Sequence, residues 1–179
     1  MTPVVLALGG SDCEVLHSGF LGQPANAVSS VAYVLAGLAV WRRGGPAGPA
    51  LALGAVGVGS VLYHGPMPAG AEAVHDGALV ALAAAVALAA ARRWRAGTRP
   101  RVPRPPAIAV AALGAGIVAN LVSRTGAPLC RPDALLQGHA AWHVLTAVAA
   151  GTWLAAWGGT AAAASPRRRA PSRVGADRG

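Results

Sequence analysis

The chain has 179 residues, of which 54% are hydrophobic and only 12% are charged. This balance excludes an ordinary soluble domain, in which about a quarter of the residues are charged. A net charge of +9 would suggest nucleic-acid binding in a soluble protein, but here the positive charges follow apolar segments. The composition therefore predicts an integral membrane protein that does not bind nucleic acid.

Several apolar segments reach the roughly 17–25 residues that a membrane-spanning helix needs. The fold class is predicted as all-α, an integral membrane helical bundle of about five transmembrane helices. The second span carries Ala55 and Gly59 four residues apart, so we expect it to pack closely inside the bundle through small residues. The predicted spans are 25–41, 48–63, 73–91, 106–122 and 134–157.

Three parts of the chain follow from these spans. We predict an external N-terminal segment over residues 1–24 and the helical bundle over residues 25–158. The remaining 159–179 are rich in alanine, arginine and proline, which predicts a disordered basic cytoplasmic tail.

The arginines determine the predicted orientation, because the chain has no lysine. Two follow the first span, six follow the third and five lie in the tail, whereas Arg124 and Arg131 fall on the opposite side. The positive-inside rule then places the N-terminus outside and the C-terminus in the cytoplasm, in a plasma or inner membrane. Trp41, Trp94 and Trp157 lie at the cytoplasmic ends of spans, as an aromatic belt would. The basic loops are expected to meet anionic lipid.

The two cysteines give an independent expectation. Cys13 precedes the first span and Cys130 precedes the fifth, so both are predicted to lie outside. That compartment permits disulfides, and we expect a Cys13–Cys130 bridge, with two unpaired thiols as the alternative.

Ionisable side chains inside membrane spans are costly and therefore mark candidate functional residues. The spans contain His64 at the outer end of the second, His75 and Asp76 at the start of the third, and His139 and His143 near the start of the fifth. The predicted topology puts all of them in the outer half of the membrane. His75 is rotated about 100° from Asp76 on its helix, and we expect it to pack or to support the site indirectly.

Three imidazoles near a carboxylate are what a catalytic zinc site requires. With His64, His139 and His143 as ligands, the fourth coordination position stays open for a water whose pKa the metal lowers. Asp76 is then expected to hold or deprotonate that water. Ser60, one turn before His64, is expected to hydrogen-bond a substrate carbonyl or oxyanion. A histidine pair four residues apart can also be a simple polar contact between helices.

Several motifs resemble those of a known superfamily. "GSVLYHG" (59–65), "HDGALV" (75–80) and "GHAAWHVLT" (138–146) are similar to the Ser-x3-His, Asp and His-x3-His motifs of the CREST superfamily of membrane hydrolases, which includes the alkaline ceramidases and the progestin and adipoQ receptors. "DCE" (12–14) and "QPANAVSS" (23–30) resemble the start of alkaline ceramidases. The resemblance implies hydrolysis of the amide bond of a long-chain ceramide, with the N-terminus external or lumenal.

The resemblance also implies roles by position. It makes His64, His139 and His143 the zinc ligands, Asp76 the acid that activates the water, and Ser60 the serine beside the metal. Asp12, Glu14 and Asn26 fall in the region that holds calcium in the ceramidases. However, Leu16 and Gln23 stand where asparagine and glutamate are expected, so at most a weak calcium site is predicted. Relatives have seven spans, and a homodimer is one way to supply the missing wall of the lipid cavity.

Three functions are therefore considered. The first is a zinc-dependent intramembrane hydrolase, similar to alkaline ceramidases, that cleaves an amide or ester of an outer-leaflet lipid. The second is an intramembrane serine protease, with Ser60 as nucleophile and His139 or His143 as base. The third is a haem-binding or receptor-like membrane protein without turnover.

Overall fold

The computed structural model describes residues 12–97 and 102–163, and for residues 159–163 only the backbone. Within these ranges the chain forms five α-helices and no β-strand, so the predicted all-α bundle is confirmed. Residues 1–11 of the predicted external segment and residues 164–179 of the predicted tail lie outside the described residues. The helices are α1 Pro24–Arg42, α2 Ala47–His64, α3 Ala71–Arg95, α4 Ala107–Val122 and α5 Gly138–Ala163.

Three of these helices, α1, α2 and α3, are long and apolar enough to cross a membrane. The apolar α4 is shorter, and its 16 residues extend over about 24 Å. The chain therefore has the helices of a membrane protein.

The fifth helix begins later than predicted, at Gly138 instead of residue 134, and it runs on to Ala163. The side-chain amide of Gln137 donates hydrogen bonds to the carbonyl oxygens of Arg131, Pro132 and Ala134, at 3.1, 3.2 and 2.7 Å. These bonds satisfy carbonyl oxygens that would accept backbone N–H groups if the helix began earlier. The residues before Gly138 therefore stay in turns, although several of them are apolar.

The helices form an open row with α1 at its centre. α1 packs between α2 and α5, α3 packs on α2 and contacts Trp157 of α5 through Arg93, and α4 packs on α5. Within the described residues, no Cα atom of α3 lies within 8 Å of one in α4. Because all five helices line one cavity, the row must curve, and its open side lies between α3 and α4.

The core lies where α1, α2 and α5 meet, and it contains the fully buried side chains of Val40, Leu53, Leu154 and Trp157. Helices in lipid gain little from hiding apolar surface, so close packing through small residues has to hold them together. α2 has the largest buried share of the three candidate spans, at 44%. The prediction that this helix lies inside the bundle agrees with its burial.

Glycines permit the close approach of α2 to its neighbours. A Cβ atom on Gly57 would stand 2.6 Å from the Val34 side chain and 3.0 Å from the Ser30 carbonyl oxygen of α1. A Cβ atom on Gly59 would stand 3.0 Å from the Cα atom of His75 in α3. Gly59 therefore makes the small-residue contact predicted for this helix, whereas Ala55 is exposed.

The disulfide between Cys13 and Cys130 is present, with Cα atoms 5.5 Å apart. It ties the segment before α1 to the loop before α5. The same two segments are joined by a backbone hydrogen bond from Val15 to Pro132 and by one from the Cys13 amide to the Thr125 hydroxyl. The N-terminal segment is thereby held over the start of α5.

The glycine contacts predict a difference between two substitutions in α2. Gly57→Ala should lower the free energy of unfolding by about 1–3 kcal/mol, because the added methyl overlaps α1. The matched control is Gly54→Ala, whose Cβ would meet no atom within 4 Å. It should be neutral or stabilise the helix by up to about 1 kcal/mol. Thermal unfolding in detergent measures both, and equal effects would contradict the proposed close packing.

Candidate metal centre

Three histidines from two helices converge at one end of the bundle. His64 is the last residue of α2, which ends there because Gly65 and Pro66 follow. His139 and His143 lie one turn apart on the same face of α5. The ring centroid of His64 is 5.1 Å from each of the other two, which are 4.5 Å apart. One ligand atom from each residue lies within 4.8 Å of the others.

The His64 ring is held by the segment that leads into α1. Its Nδ1 atom lies 2.7 Å from Oε1 of Gln23, and the Gln23 amide N–H donates to the His64 carbonyl oxygen at 2.7 Å. The Gln23 side-chain N–H donates in turn to the Glu14 carbonyl oxygen, which fixes Oε1 as the atom that faces the ring. His64 and Gln23 are both fully buried.

The His143 ring is held by the first turns of α1. Its Nδ1 atom lies 3.2 Å from the Asn26 carbonyl oxygen, 3.0 Å from the Ser29 hydroxyl and 3.2 Å from the Ser30 hydroxyl. Both hydroxyls donate to the Asn26 carbonyl oxygen, so they are oriented to accept from the ring. A backbone carbonyl can only accept, which makes Nδ1 of His143 the protonated nitrogen.

The His139 ring is held from a third direction. Its Nδ1 atom lies 3.0 Å from Oδ1 of Asn120 in α4 and 3.5 Å from a carboxylate oxygen of Asp12. Asp12 is buried, and it reaches this position because the neighbouring Cys13 is bonded to the loop before α5. Both contacts are oxygen acceptors, so Nδ1 of His139 also carries its proton.

All three imidazoles therefore have the same arrangement, with Nδ1 engaged by a protein acceptor and Nε2 left as the available ligand atom. The Nε2 atom of His64 is buried and has no hydrogen-bond partner among the described residues. A buried acceptor without a partner is costly, and a bound cation would remove that cost. Partners that orient the outer nitrogen are typical of metal-binding histidines. His64, His139 and His143 could hold a metal ion.

The acidic residues assigned to a weak calcium site have other contacts in this fold. Both carboxylate oxygens of Glu14 accept backbone N–H groups at the start of α1, from Ala25 at 2.7 Å and Asn26 at 2.9 Å. Glu14 thus stabilises the helix N-terminus. Asp12 lies against His139. The side-chain oxygen of Asn26 is buried without a hydrogen-bond partner among the described residues.

Asp76 lines the cavity that contains the histidines. Its Oδ1 atom lies 2.9 Å from Nδ1 of His75, and its side chain is 65% exposed. The His75 ring stacks on Tyr63, with centroids 5.1 Å apart, and Tyr63 packs edge-on against His64. His75 therefore contacts both Asp76 and Tyr63 and lies outside the cluster of His64, His139 and His143.

Ser60 is buried between α1 and α2, and its hydroxyl lies 2.8 Å from that of Ser30. Ser30 in turn contacts Nδ1 of His143. The residues that line the cavity in the described chain do not include Ser60. Ser60 is thus linked to the His143 ring through Ser30 and is not in the position expected for contact with a substrate.

The histidines lie at the polar end of a cavity of about 870 Å³. Tyr33, Leu53, Leu82, Leu113 and Trp153 line its deeper part. The cavity follows α5 from His139 to Trp153, about 21 Å, and this exceeds the roughly 15 Å of one leaflet's hydrocarbon. Such a space fits an acyl chain.

Four supporting residues were not predicted from the sequence: Gln23, Ser29, Ser30 and Asn120. Asn120 could have been found, because an amide in the apolar α4 is an intramembrane polar group without an obvious role. Gln23 and the serines act through backbone and ring contacts that only the fold brings together. Trp142, between the two histidines of α5, lines the cavity and packs against Gly116 of α4.

Compared with family models, with curated proteins and with solved structures, the chain gives no match.

The anchoring of His139 predicts the effect of two substitutions at one position. Asn120→Leu keeps a branched side chain of similar shape but removes the nearer acceptor for Nδ1, so metal affinity should fall by about 10–100-fold. Asn120→Asp keeps an oxygen at this place and should retain the affinity. Competition with a chromogenic chelator measures both, and wild-type affinity in Asn120→Leu would contradict the role given to Asn120.

Proposed function

We propose that this protein is a zinc-dependent intramembrane hydrolase that cleaves an amide, or an ester, of a membrane lipid. The observation that carries the proposal is the buried cluster of His64, His139 and His143, which stands at the polar end of an apolar cavity. The resemblance to alkaline ceramidases assigns the same three residues to zinc.

Zinc is the metal that this donor set favours. Imidazole nitrogen suits zinc among several transition metals, and three protein ligands with a fourth position left open are typical of catalytic zinc. In such sites zinc supplies an activated water and polarises a carbonyl group. The hydrogen bonds to Nδ1 hold the three rings in orientation before any metal arrives, which favours tight binding.

Asp76 is the proposed general base and acid. Its Oδ1 atom is held by His75 at 2.9 Å, which leaves the second carboxylate oxygen for the reaction. Asp76 would accept a proton from the attacking water and deliver it to the leaving nitrogen as the C–N bond breaks. The products of an amide substrate are then a fatty acid and an amine. Ser60 supports this centre through its contact with Ser30.

The gap between α3 and α4 is the proposed path for the lipid. Neither helix covers the other within the described chain, and both contribute apolar side chains to the cavity, including Leu79 from α3 and Val110 from α4. An acyl chain that enters from the bilayer through this gap stays in apolar surroundings, while its carbonyl end reaches the histidines.

The proposed orientation places the N-terminus and the metal centre on the external side of a plasma or inner membrane. The arginine distribution supports this orientation. The disulfide supports it too, because it joins two segments at the same end of the bundle and forms in an oxidising compartment.

Metal analysis of the purified protein tests the zinc assignment. The wild type should contain one zinc ion per chain, and His143→Ala should lose it because one of three ligands is gone. The matched control is His17→Ala, since His17 is exposed in the N-terminal segment and lies outside the cluster. Wild-type protein that binds no zinc would contradict the proposal.

Lipid hydrolysis tests the reaction. In detergent micelles the zinc-loaded protein should release fatty acid from a long-chain ceramide, and Asp76→Asn should lower the rate by about 10²–10⁴-fold while keeping its zinc. Glu72→Gln removes an exposed carboxylate from the same helix and should retain activity. Protein that holds zinc but hydrolyses neither amides nor esters of lipids would favour the receptor-like alternative.

A further inference from the structure

Among the described residues, one positively charged side chain, that of Arg124, lines the cavity that contains the three histidines. It lies in the loop between α4 and α5 and is exposed. Its guanidinium has no hydrogen bond or ion pair with any residue in the described ranges, yet it is near enough to act electrostatically on His139. An arginine with five donors and no partner at a cavity mouth is a ready site for an anion.

The backbone that carries Arg124 is held firmly. The Ser123 hydroxyl donates to the Ala119 carbonyl oxygen at 2.6 Å, and the Arg124 carbonyl oxygen accepts from the Ala127 amide at 2.8 Å. Thr125 accepts the amide N–H of Cys13, whose disulfide closes this region. The backbone from which the guanidinium extends is therefore held in place beside the cavity.

Two carboxylates share the polar end of the cavity, and both have other contacts. Asp12 lies 3.5 Å from the ring nitrogen of His139, and Asp76 lies 2.9 Å from that of His75. No ion pair joins either of them to Arg124 in the described residues. With a divalent metal on three neutral imidazoles, the positive charges at this end outnumber the two carboxylates, which favours an anionic ligand group.

We propose that Arg124 binds a carboxylate or phosphate on the amine side of the lipid, so that the preferred substrates are anionic N-acyl amides instead of neutral ones. This proposal rests on the proposed hydrolase function. An acyl chain in the apolar part of the cavity places the amide carbonyl at the histidines. The amine portion then extends toward the mouth, where Arg124 can bind its anionic end with two parallel hydrogen bonds.

Binding of three sulfonamide lipids tests the proposal without depending on turnover. Each carries a hexadecylsulfonyl group, which resists hydrolysis, on one of three amines: glycine, O-phosphoethanolamine or ethanolamine. We expect zinc-loaded wild-type protein in neutral detergent to bind the carboxylate or the phosphate compound at least about tenfold more tightly than the neutral one. The compound with the tighter binding identifies which anion the site takes.

Two variants assign the preference to one residue. Arg124→Gln should bring the affinities for anionic and neutral compounds to within about twofold of each other, with zinc content unchanged. The matched control is Arg131→Gln, which removes the same charge from the same loop but not from the cavity wall, and should keep the preference. In wild-type protein, added salt should weaken binding of the anionic compounds only.

Equal affinity for all three compounds in the wild type would overturn the proposal, as would a preference that survives Arg124→Gln or that salt leaves unchanged. The hydrolase function is tested separately by fatty acid release from a long-chain ceramide, N-palmitoylethanolamine and N-palmitoylglycine. Release from none of the three contradicts the amide hydrolase, whatever the binding results. Release from the glycine and ethanolamine compounds at equal efficiency contradicts only the role of Arg124.

Discussion

Each imidazole inside the bundle must place its N–H group on an acceptor, because lipid offers none. His64 finds its acceptor in Gln23 before α1, His143 in the Asn26 carbonyl of α1, and His139 in Asn120 of α4. The three acceptors come from three parts of the chain. The hydrogen bonds therefore orient the rings and also join these three parts to one another. This shared requirement explains why the histidines lie where α1, α2 and α5 meet and where α4 packs on α5. It also leaves three Nε2 atoms for a common ligand.

The open row of helices leaves the cavity at whose polar end the three histidines lie. If α3 packed on α4, the bundle would close and its interior would fill with side chains, as ordinary cores do. With the two end helices apart, a cavity of about 870 Å³ remains between them. The cavity is polar at one end, where the histidines and the charged side chains lie, and it is lined by leucines and tryptophan in its deeper part. A molecule with a polar end and a long apolar chain matches this gradient, whereas a peptide backbone would leave its polar groups unsatisfied in the apolar part.

Much of this arrangement could be predicted from the sequence. Long apolar segments specify the helices, and the high cost of an imidazole in lipid is enough to single out His64, His139 and His143 as candidates. The start of α5 was predicted wrongly, since nothing local shows that Gln137 satisfies three loop carbonyls. The contacts of Gln23 and Ser30 also escaped prediction, because they depend on which helices become neighbours. The spacing of apolar residues describes each helix separately, and it does not show which other helix packs against it.

The metal centre draws on nearly the whole length of the chain, and this determines when it can form. During synthesis His64 emerges with α2, but the two other imidazoles arrive together on α5, after Cys130. A chain that stops before α5 contains a single ligand of the three. Metal uptake by the full ligand set would therefore require that α5 has been made and has packed on α1. A bound ion would report that this helix is in place, and its absence would distinguish chains that lack α5.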